Sequence, residues 1–281
     1  MVPGLYIVAT PIGNLGDLSP RAAEILAAAD LVACEDTRVT GRLLAARGIE
    51  TRLTAYHDHS TPAARAALIE RLKEGKIVAL VSDAGTPLIS DPGYKLVRDA
   101  ADAGFFVTAA PGPSSVLAAL VVSGLPTDRF LFAGYLPSRD KARRDAIAEF
   151  AGLNATLVFL DSPKRLAASL AALREILGDR LAAVAREMTK LHEEVRRGTL
   201  AALAADYADE PPPRGEAVIV VGPPAGEADA PADIDALLAD ALSTMSVRDA
   251  AATVAAATGA PRKDVYRRAL ELSKATSGDD G

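Results

Sequence analysis

The chain has 281 residues, 49% of them hydrophobic and 24% charged, an ordinary globular composition with ample length to bury a core. With no Trp and 4% aromatics that core must be aliphatic, and a single cysteine, Cys34, excludes a disulfide framework. A net charge of −6 argues against a general nucleic-acid binder, whose footprint is usually basic.

The opening MVPGLYIVATPIGN lacks a basic segment, and its apolar run breaks at Thr10-Pro11. Neither a signal peptide nor a membrane span is expected, and the cytoplasm is the expected compartment. Short apolar runs at Leu5–Ala9, Leu31–Cys34, Ile77–Val81 and Phe105–Ala109 predict strands. Between them the pattern predicts helices over Pro20–Ala28, Thr37–Ala46, Thr61–Lys73 and Gly93–Ala103. Ser19 and Thr61 are the expected N-caps, each followed by proline at the first helical position. Gly75 and Gly104 stand where helices should end. Strand–helix alternation with unbroken aliphatic strands implies a parallel sheet covered on both faces.

The pattern resumes after Leu125-Pro126. Strands are expected at Phe130–Ala133, Thr156–Leu160, Leu181–Ala185 and Glu216–Val221, with helices at Arg139–Phe150, Pro163–Leu177 and Leu200–Tyr207. The Gly/Pro/Ala-rich segment beginning at Gly222-Pro223-Pro224 reads as a linker, followed by helices near Asp233–Leu242, Val247–Ala257 and Pro261–Leu272. The expected divisions are an α/β domain at 1–122, a second at 123–222, a linker at 223–232, a helical domain at 233–275 and a disordered tail at 276–281.

Three strands of the first half run into loops of similar chemistry: Thr10-Pro11-Ile12-Gly13-Asn14, Ser82-Asp83-Ala84-Gly85-Thr86-Pro87 and Pro111-Gly112-Pro113-Ser114-Ser115. In a parallel sheet all three share the carboxyl edge, where open α/β sheets bind ligands. Gly and small residues let backbone approach a ligand, and Pro fixes loop shape in advance. Each loop alone could be a turn; three on one rim point to a small-molecule site. None matches GxGxxG or GxxxxGK[ST], so neither a dinucleotide fingerprint nor a Walker loop is present.

Other candidate chemistry is sparser. Cys34-Glu35-Asp36-Thr37-Arg38 leaves a strand with two acids, which a helix start with Asp36 or Thr37 as cap largely explains. Tyr56-His57-Asp58-His59 holds two of the three histidines, but no metal is expected because only acids could complete a ligand set. Between Ser138 and Arg197, Lys and Arg outnumber Asp and Glu, with clusters at Arg139–Arg144, Lys164-Arg165 and Arg196-Arg197. A local basic face on an acidic chain suits a phosphate-bearing partner, although solvated helix faces give the same pattern.

Taken together, TPIGNLGDLSPRA, CEDTR, YHDHS, SDAGTPLISDPG, PGPSS and AREMTK closely resemble the bacterial ribosomal RNA small-subunit methyltransferases of the tetrapyrrole-methylase superfamily, which bind S-adenosylmethionine. The resemblance covers nearly the whole chain, and SDAGTPLISDPG is its most specific part. It implies an α/β fold with two domains of the tetrapyrrole-methylase type, the cofactor in the cleft between them, and a small C-terminal helical domain. It implies 2′-O-methylation of a cytidine ribose in the decoding region of 16S rRNA within the small ribosomal subunit, by an enzyme that is usually a homodimer and has no membrane association.

By position, the resemblance gives cofactor contacts at Pro11, Ile12, Gly13, Asp83, Ala84, Gly85, Leu88, Ser114, Ser115, Leu160 and Met188. Candidate proton acceptors for the ribose hydroxyl are Glu35, Asp36, His57 and Asp58. Candidate phosphate contacts are Arg38, Arg165, Arg186 and Lys190. Lys164 departs from the resemblance, which implies a histidine there. Competing readings are a tetrapyrrole or protein methyltransferase of the same superfamily, a non-catalytic ribosome-binding protein, and a plain nucleotide-binding module.

Overall fold

The computed structural model describes residues 1–57, 60–224, 234–258 and 260–276. The expected linker and tail therefore lie largely outside the described residues, as do Asp58 and His59. The chain divides into two compact units, Met1–Pro224 and Ala225–Gly281.

The first sheet holds five parallel strands in the order β3-β2-β4-β1-β5: β1 Gly4–Val8, β2 Leu31–Cys34, β3 Leu53–Ala55, β4 Ile77–Leu80 and β5 Val107–Ala110. Alternate strand residues face opposite layers, so both faces must be covered. Tyr6, Val8, Val32 and Cys34 pack on Ile25 and Leu26 of α1 (Pro20–Ala28) and Leu43 and Leu44 of α2 (Thr37–Ala46). On the other face Leu5, Ala33, Val78 and Leu80 meet Leu68 and Leu72 of α3 (Pro62–Lys73) and Leu96 and Ala100 of α4 (Tyr94–Asp102). Ser19 and Thr61 cap α1 and α3 through their hydroxyls. Gly75 and Gly104 follow the ends of α3 and α4 with φ of 73° and 77°.

Strand β1 lies between β4 and β5. The chain leaves β1 through α1 on one face, and leaves β4 through α4 on the other. The ends of β1 and β4 therefore diverge, opening a crevice at a topological switch point.

The second sheet has the order β6-β7-β10-β8-β9, with β6 Phe130–Tyr135, β7 Thr156–Asp161, β8 Leu181–Arg186, β9 Glu194–Thr199 and β10 Ala217–Val221. Only β6 and β7 pair in parallel; the pairs β7–β10, β10–β8 and β8–β9 are antiparallel. One face, with Leu157, Phe159, Val184, Ile219 and Val221, packs on α6 (Asp140–Ala148), α7 (Leu166–Leu177) and α8 (Leu200–Asp209).

The opposite face, with Val158, Ala185, Val218 and Val220, packs on Val116, Ala119 and Leu120 of α5 (Ser115–Ser123). Helix α5 follows the last strand of the first sheet, yet it covers the second. That crossing brings the carboxyl-edge loops of β1, β4 and β5 against the second sheet.

The helical unit contains α9 Ile234–Leu242, α10 Val247–Thr258 and α11 Arg262–Thr276 around Leu238, Ala251, Val254, Val265 and Ala269. Ser246 caps α10: its hydroxyl accepts the Asp249 N–H and donates to the Asp249 carboxylate. A two-point ion pair joins Arg268 of α11 to Asp235 of α9. Among the described residues no helix is long and apolar enough to cross a membrane.

Candidate active site

The three rim loops are fastened to one another. Thr10 and Gly85 exchange backbone hydrogen bonds at 2.9 and 3.0 Å, a one-residue bridge across the switch point. The Thr10 hydroxyl donates to the Ser82 carbonyl, and the Thr86 hydroxyl donates to the Pro113 carbonyl, each at 3.1 Å. Asp83 accepts the Asp36 N–H at 3.0 Å, drawing the loop after β2 into the same assembly. Gly85 has φ of 80°, and a Cβ there would lie 3.4 Å from Ile12 Cγ2, so glycine suits both the backbone and the close approach.

The loop Val81–Gly93 reaches across to the second sheet, where Ser90 Oγ lies 3.9 Å from the position a Cβ on Gly134 would take. Its counterpart on the second sheet is Arg186–Lys190, after β8. Among the described residues the only non-glycine positions with positive φ fall on these two loops: Leu88, Ser90, Glu187 and Thr189. Such backbone costs energy and persists where the surroundings fix it, a pattern concentrated at ligand sites.

Between the two walls lies a cavity of about 550 Å³. The first-sheet side contributes Ile12, Asp83, Ala84 and Ser115; the second contributes Tyr135, Leu160, Asp161, Arg165, Glu216 and Val218. A narrower annex against Ile12 and Ser115 is floored by Met188. Polar groups converging between apolar walls such as Ile12, Leu160 and Val218 suit an organic cofactor of nucleoside size. The Asp161 side chain is fully buried, with Oδ1 held by Arg165 at 2.6 Å and Oδ2 without a hydrogen-bond partner. An unsatisfied buried carboxylate oxygen at a cavity wall fits a ligand that brings a donor.

A smaller recess of about 390 Å³ lies between β3 and α3, at the amino edge of the first sheet, lined by Arg52, Leu53 and Arg71. It holds none of the rim-loop residues and is remote from the switch point.

Of the sequence-predicted cofactor positions, Ile12, Asp83, Ala84, Ser115 and Leu160 line the main cavity and Met188 lines the annex. Pro11, Gly13, Gly85, Leu88 and Ser114 belong to the loops but are not among the residues lining either space. A Cβ on Gly13 would overlap Lys190, Leu88 lies against Gly93, and the Ser114 hydroxyl caps α5 by accepting the Leu117 N–H.

The acid–base candidates are placed differently. Asp36 caps α2 and pairs with Arg38 at 2.6 Å; those contacts hold its carboxyl down at about 2. Glu35 is exposed beside it. His57 lines an adjoining pocket rather than the main cavity, and Asp58 is outside the described residues. Cys34 is buried, its thiol pushed up chiefly by burial.

Among the phosphate-contact candidates only Arg38 is open to solvent. Arg165 is held by Asp161, Arg186 by Glu194 and Lys190 by Glu187 and Glu216. Much of the basic face is likewise neutralised at home: Arg143 and Arg144 bind Asp140, Lys141 binds Asp145, and Arg196 binds Glu194 and Glu210. Among the described residues no cluster of three or more His, Cys, Asp or Glu could hold a metal ion.

Four titratable residues of the cavity wall were not singled out by the sequence as site residues: Asp91, Tyr135, Asp161 and Glu216. Asp91 and Asp161 stood inside recognisable motifs, SDPG and DSPKR. Tyr135 and Glu216 carried no signal, since they arrive from the ends of β6 and β10 only when the second sheet forms.

The tetrapyrrole (corrin/porphyrin) methylase family matches residues 4–204, and the RsmI C-terminal HTH domain matches residues 228–273. The fold agrees with solved structures. A diphthine synthase superimposes with a TM-score of 0.60 at 18% identity, over 78% of this chain and 89% of that one. A uroporphyrin-III-C-methyltransferase from Thermus thermophilus gives 0.56 at 23%, over 78% and 94%. The chain belongs to the tetrapyrrole methylases, whose methyl donor is S-adenosylmethionine.

Its sequence is similar to proteins named ribosomal RNA small subunit methyltransferase I. The protein of Mesorhizobium japonicum is 53% identical over 99% of this chain and 95% of the relative. That of Erythrobacter litoralis is 56% identical over 96% and 95%, and that of Escherichia coli O157:H7 is 45% identical over 95% and 94%.

Proposed function

We propose that this chain transfers a methyl group from S-adenosylmethionine to the ribose 2′-oxygen of a cytidine in the decoding region of 16S rRNA, on the small ribosomal subunit. The observation that carries the reading is the rim-loop cavity set between two sheets, in a chain similar over nearly its whole length to proteins named for small-subunit rRNA methylation. Ile12, Asp83, Ala84, Ser115 and Leu160 would hold the cofactor, Met188 would close the annex, and Pro11, Gly13, Gly85, Leu88 and Ser114 would fix the loops that carry them.

Bound there, the sulfonium supplies an electrophilic methyl group, so the protein's main task is alignment of the ribose oxygen behind it. Fastened loops keep that alignment without ordering cost at each turnover. A ribose hydroxyl is a poor nucleophile, and a proton acceptor within hydrogen-bond reach assists it. Glu35, Asp36, His57 and Asp58 are the candidates from the sequence, and the cavity adds Asp91. Asp36 is weakened as a base, because its carboxyl is already stabilised as the anion by Arg38.

Arg38, 85% exposed, would meet phosphate from solvent while Asp36 holds its other side. Arg165, Arg186 and Lys190 would do so by exchanging an internal carboxylate for the RNA backbone. The helical domain at 233–275 adds RNA contact. The chain acts in the cytoplasm as a homodimer, a reading supported by Leu117 and Val121, which stand 51% and 70% exposed on α5.

The test uses small subunits from cells lacking this gene, purified protein and isotope-labelled S-adenosylmethionine, with nuclease digestion and mass spectrometry. Label in a 2′-O-methylcytidine of the decoding region is expected. Label in a base, a protein or a tetrapyrrole, or none at all despite cofactor binding, would overturn the assignment.

A further inference from the structure

A second pocket, of about 260 Å³, adjoins the main cavity and shares Asp91 with it. Its other walls include Tyr56, His57, Arg65, Tyr94 and Lys95. From it we infer a subsite for a single-stranded nucleotide that flanks the methylated one, with the base stacked on Tyr94 and the phosphate held by Lys95. The inference rests on the RNA reading above and says where the strand runs.

Helix α4 is strongly two-sided. Leu96 and Ala100 are buried in the first sheet's core, whereas Tyr94, Lys95 and Arg98 face solvent. Tyr94 is 65% exposed, a large aromatic surface left uncovered at the mouth of a pocket. The Arg98 guanidinium lies 5.8 Å from its ring centroid, one helical turn on, and steadies one side of the ring. Lys95 is exposed and makes no ion pair among the described residues. It differs in this from Arg65, which Asp99 holds at 2.6 Å.

An exposed aromatic beside an uncommitted cation is the combination that grips single-stranded RNA, because every base has a π-face and every nucleotide a phosphate. Of the acids at this place, Asp91 lies on the cavity side, while Asp99 holds Arg65 at 2.6 Å and lies 3.7 Å from Arg98, leaving Lys95 as the uncommitted cation of the border. Continuity through Asp91 puts the subsite next to the nucleotide that enters the cleft. Base recognition by stacking explains how the enzyme could hold a strand although Arg165, Arg186, Lys190 and Arg196 are paired internally.

The test measures methyl transfer to small subunits by the full-length protein and by Tyr94→Ala, Tyr94→Phe and Lys95→Ala. Binding of S-adenosylhomocysteine is measured by calorimetry, and folding by thermal melting. Tyr94→Ala is expected to raise KM for the subunit about tenfold, within the range that loss of one stacked base produces, with cofactor affinity and melting unchanged. Tyr94→Phe, which keeps the ring, should restore most of the loss. Lys95→Ala should lower the salt dependence of RNA binding by about one counterion.

A Tyr94→Ala protein whose KM stays within twofold would overturn the subsite, as would a Tyr94→Phe protein as impaired as Tyr94→Ala. So would a defect seen on assembled subunits but absent on binding a decoding-region RNA fragment, which would assign the surface to a ribosomal protein. Wild-type protein that methylates no RNA at all would instead sink the functional reading beneath it.

Discussion

The Asp83 carboxylate accepts the backbone N–H of Asp36 at 3.0 Å, joining two loops that are 47 residues apart in sequence. One side chain thus lines the cavity and holds the start of α2 in place. Removing it leaves a half-buried N–H without its charged partner. Asp83→Ala should lose about 2 kcal/mol of stability and weaken S-adenosylhomocysteine binding. Asp83→Asn keeps an acceptor oxygen and should lose less of both. Urea titration and calorimetry on the two variants read these effects, and equal behaviour of Ala and Asn would show that the hydrogen bond is idle.

Gly215 faces Glu187 so closely that a Cβ would overlap the carboxylate, and its φ is 93°. Glu187 accepts the Glu216 N–H and pairs with Lys190, so its displacement would disturb the whole second wall. Gly215→Ala should cost about 3 kcal/mol and most of the cofactor affinity. Gly75→Ala is the control: φ is 73° but nothing lies within 4 Å, so only the backbone penalty of about 1 kcal/mol remains. Similar losses in both would remove the argument from crowding.

Arg165 is the ion-pair partner of a fully buried Asp161. Arg165→Met would strand that carboxylate in the interior, and a loss of about 3 kcal/mol is expected. Adding Asp161→Asn to the same chain removes the stranded charge and should recover part of the loss. A double variant less stable than the single would mean that the pair does not act through charge burial.

Acid should destabilise the fold in a defined window. Arg38 and the helix start hold the Asp36 carboxyl at about 2 against an ordinary 3.8, so the folded state binds its proton less readily than the unfolded chain. The contribution is therefore complete above 3.8 and is lost as pH falls towards about 2. Asp36→Asn should flatten the fall in urea midpoint across that window. Salt should shrink the difference, because Arg38 is open to solvent. A slope in Asp36→Asn identical to the wild type's would assign acid sensitivity to other carboxylates.

Filling the cavity separates binding from folding. Ala84 is exposed on the cavity wall, so Ala84→Phe adds a ring where a ligand would lie without crowding the core. Cofactor affinity should fall at least tenfold with the melting temperature little changed. Tight binding by Ala84→Phe would move the cofactor elsewhere.

Local physics was legible in the chain itself. Aliphatic runs located β1, β2, β4 and most of the second sheet; Ser19 and Thr61 announced helix starts, and Gly75 and Gly104 their ends. These signals depend on spacing within a few residues, which is why they can be read without a fold. The rim loops were visible for the same reason, and their motifs carried the family.

The rest needed the tertiary structure. Strand β3, Leu53–Ala55, is too short to show a period, and β9, EVRRGT, reads as charged loop until β8 offers it a partner. Helix α5, SVLAALVVS, is apolar all round, so its sequence shows no face; packing on the second sheet gives it one. Antiparallel pairing of β10 with both β7 and β8 likewise depends on partners far along the chain. Tyr135, Asp161 and Glu216 reach the cavity only through that sheet. Sequence determined the elements and the chemistry of the first wall, because both are local. Which second wall faced it was decided by long-range burial, which no window of neighbouring residues contains.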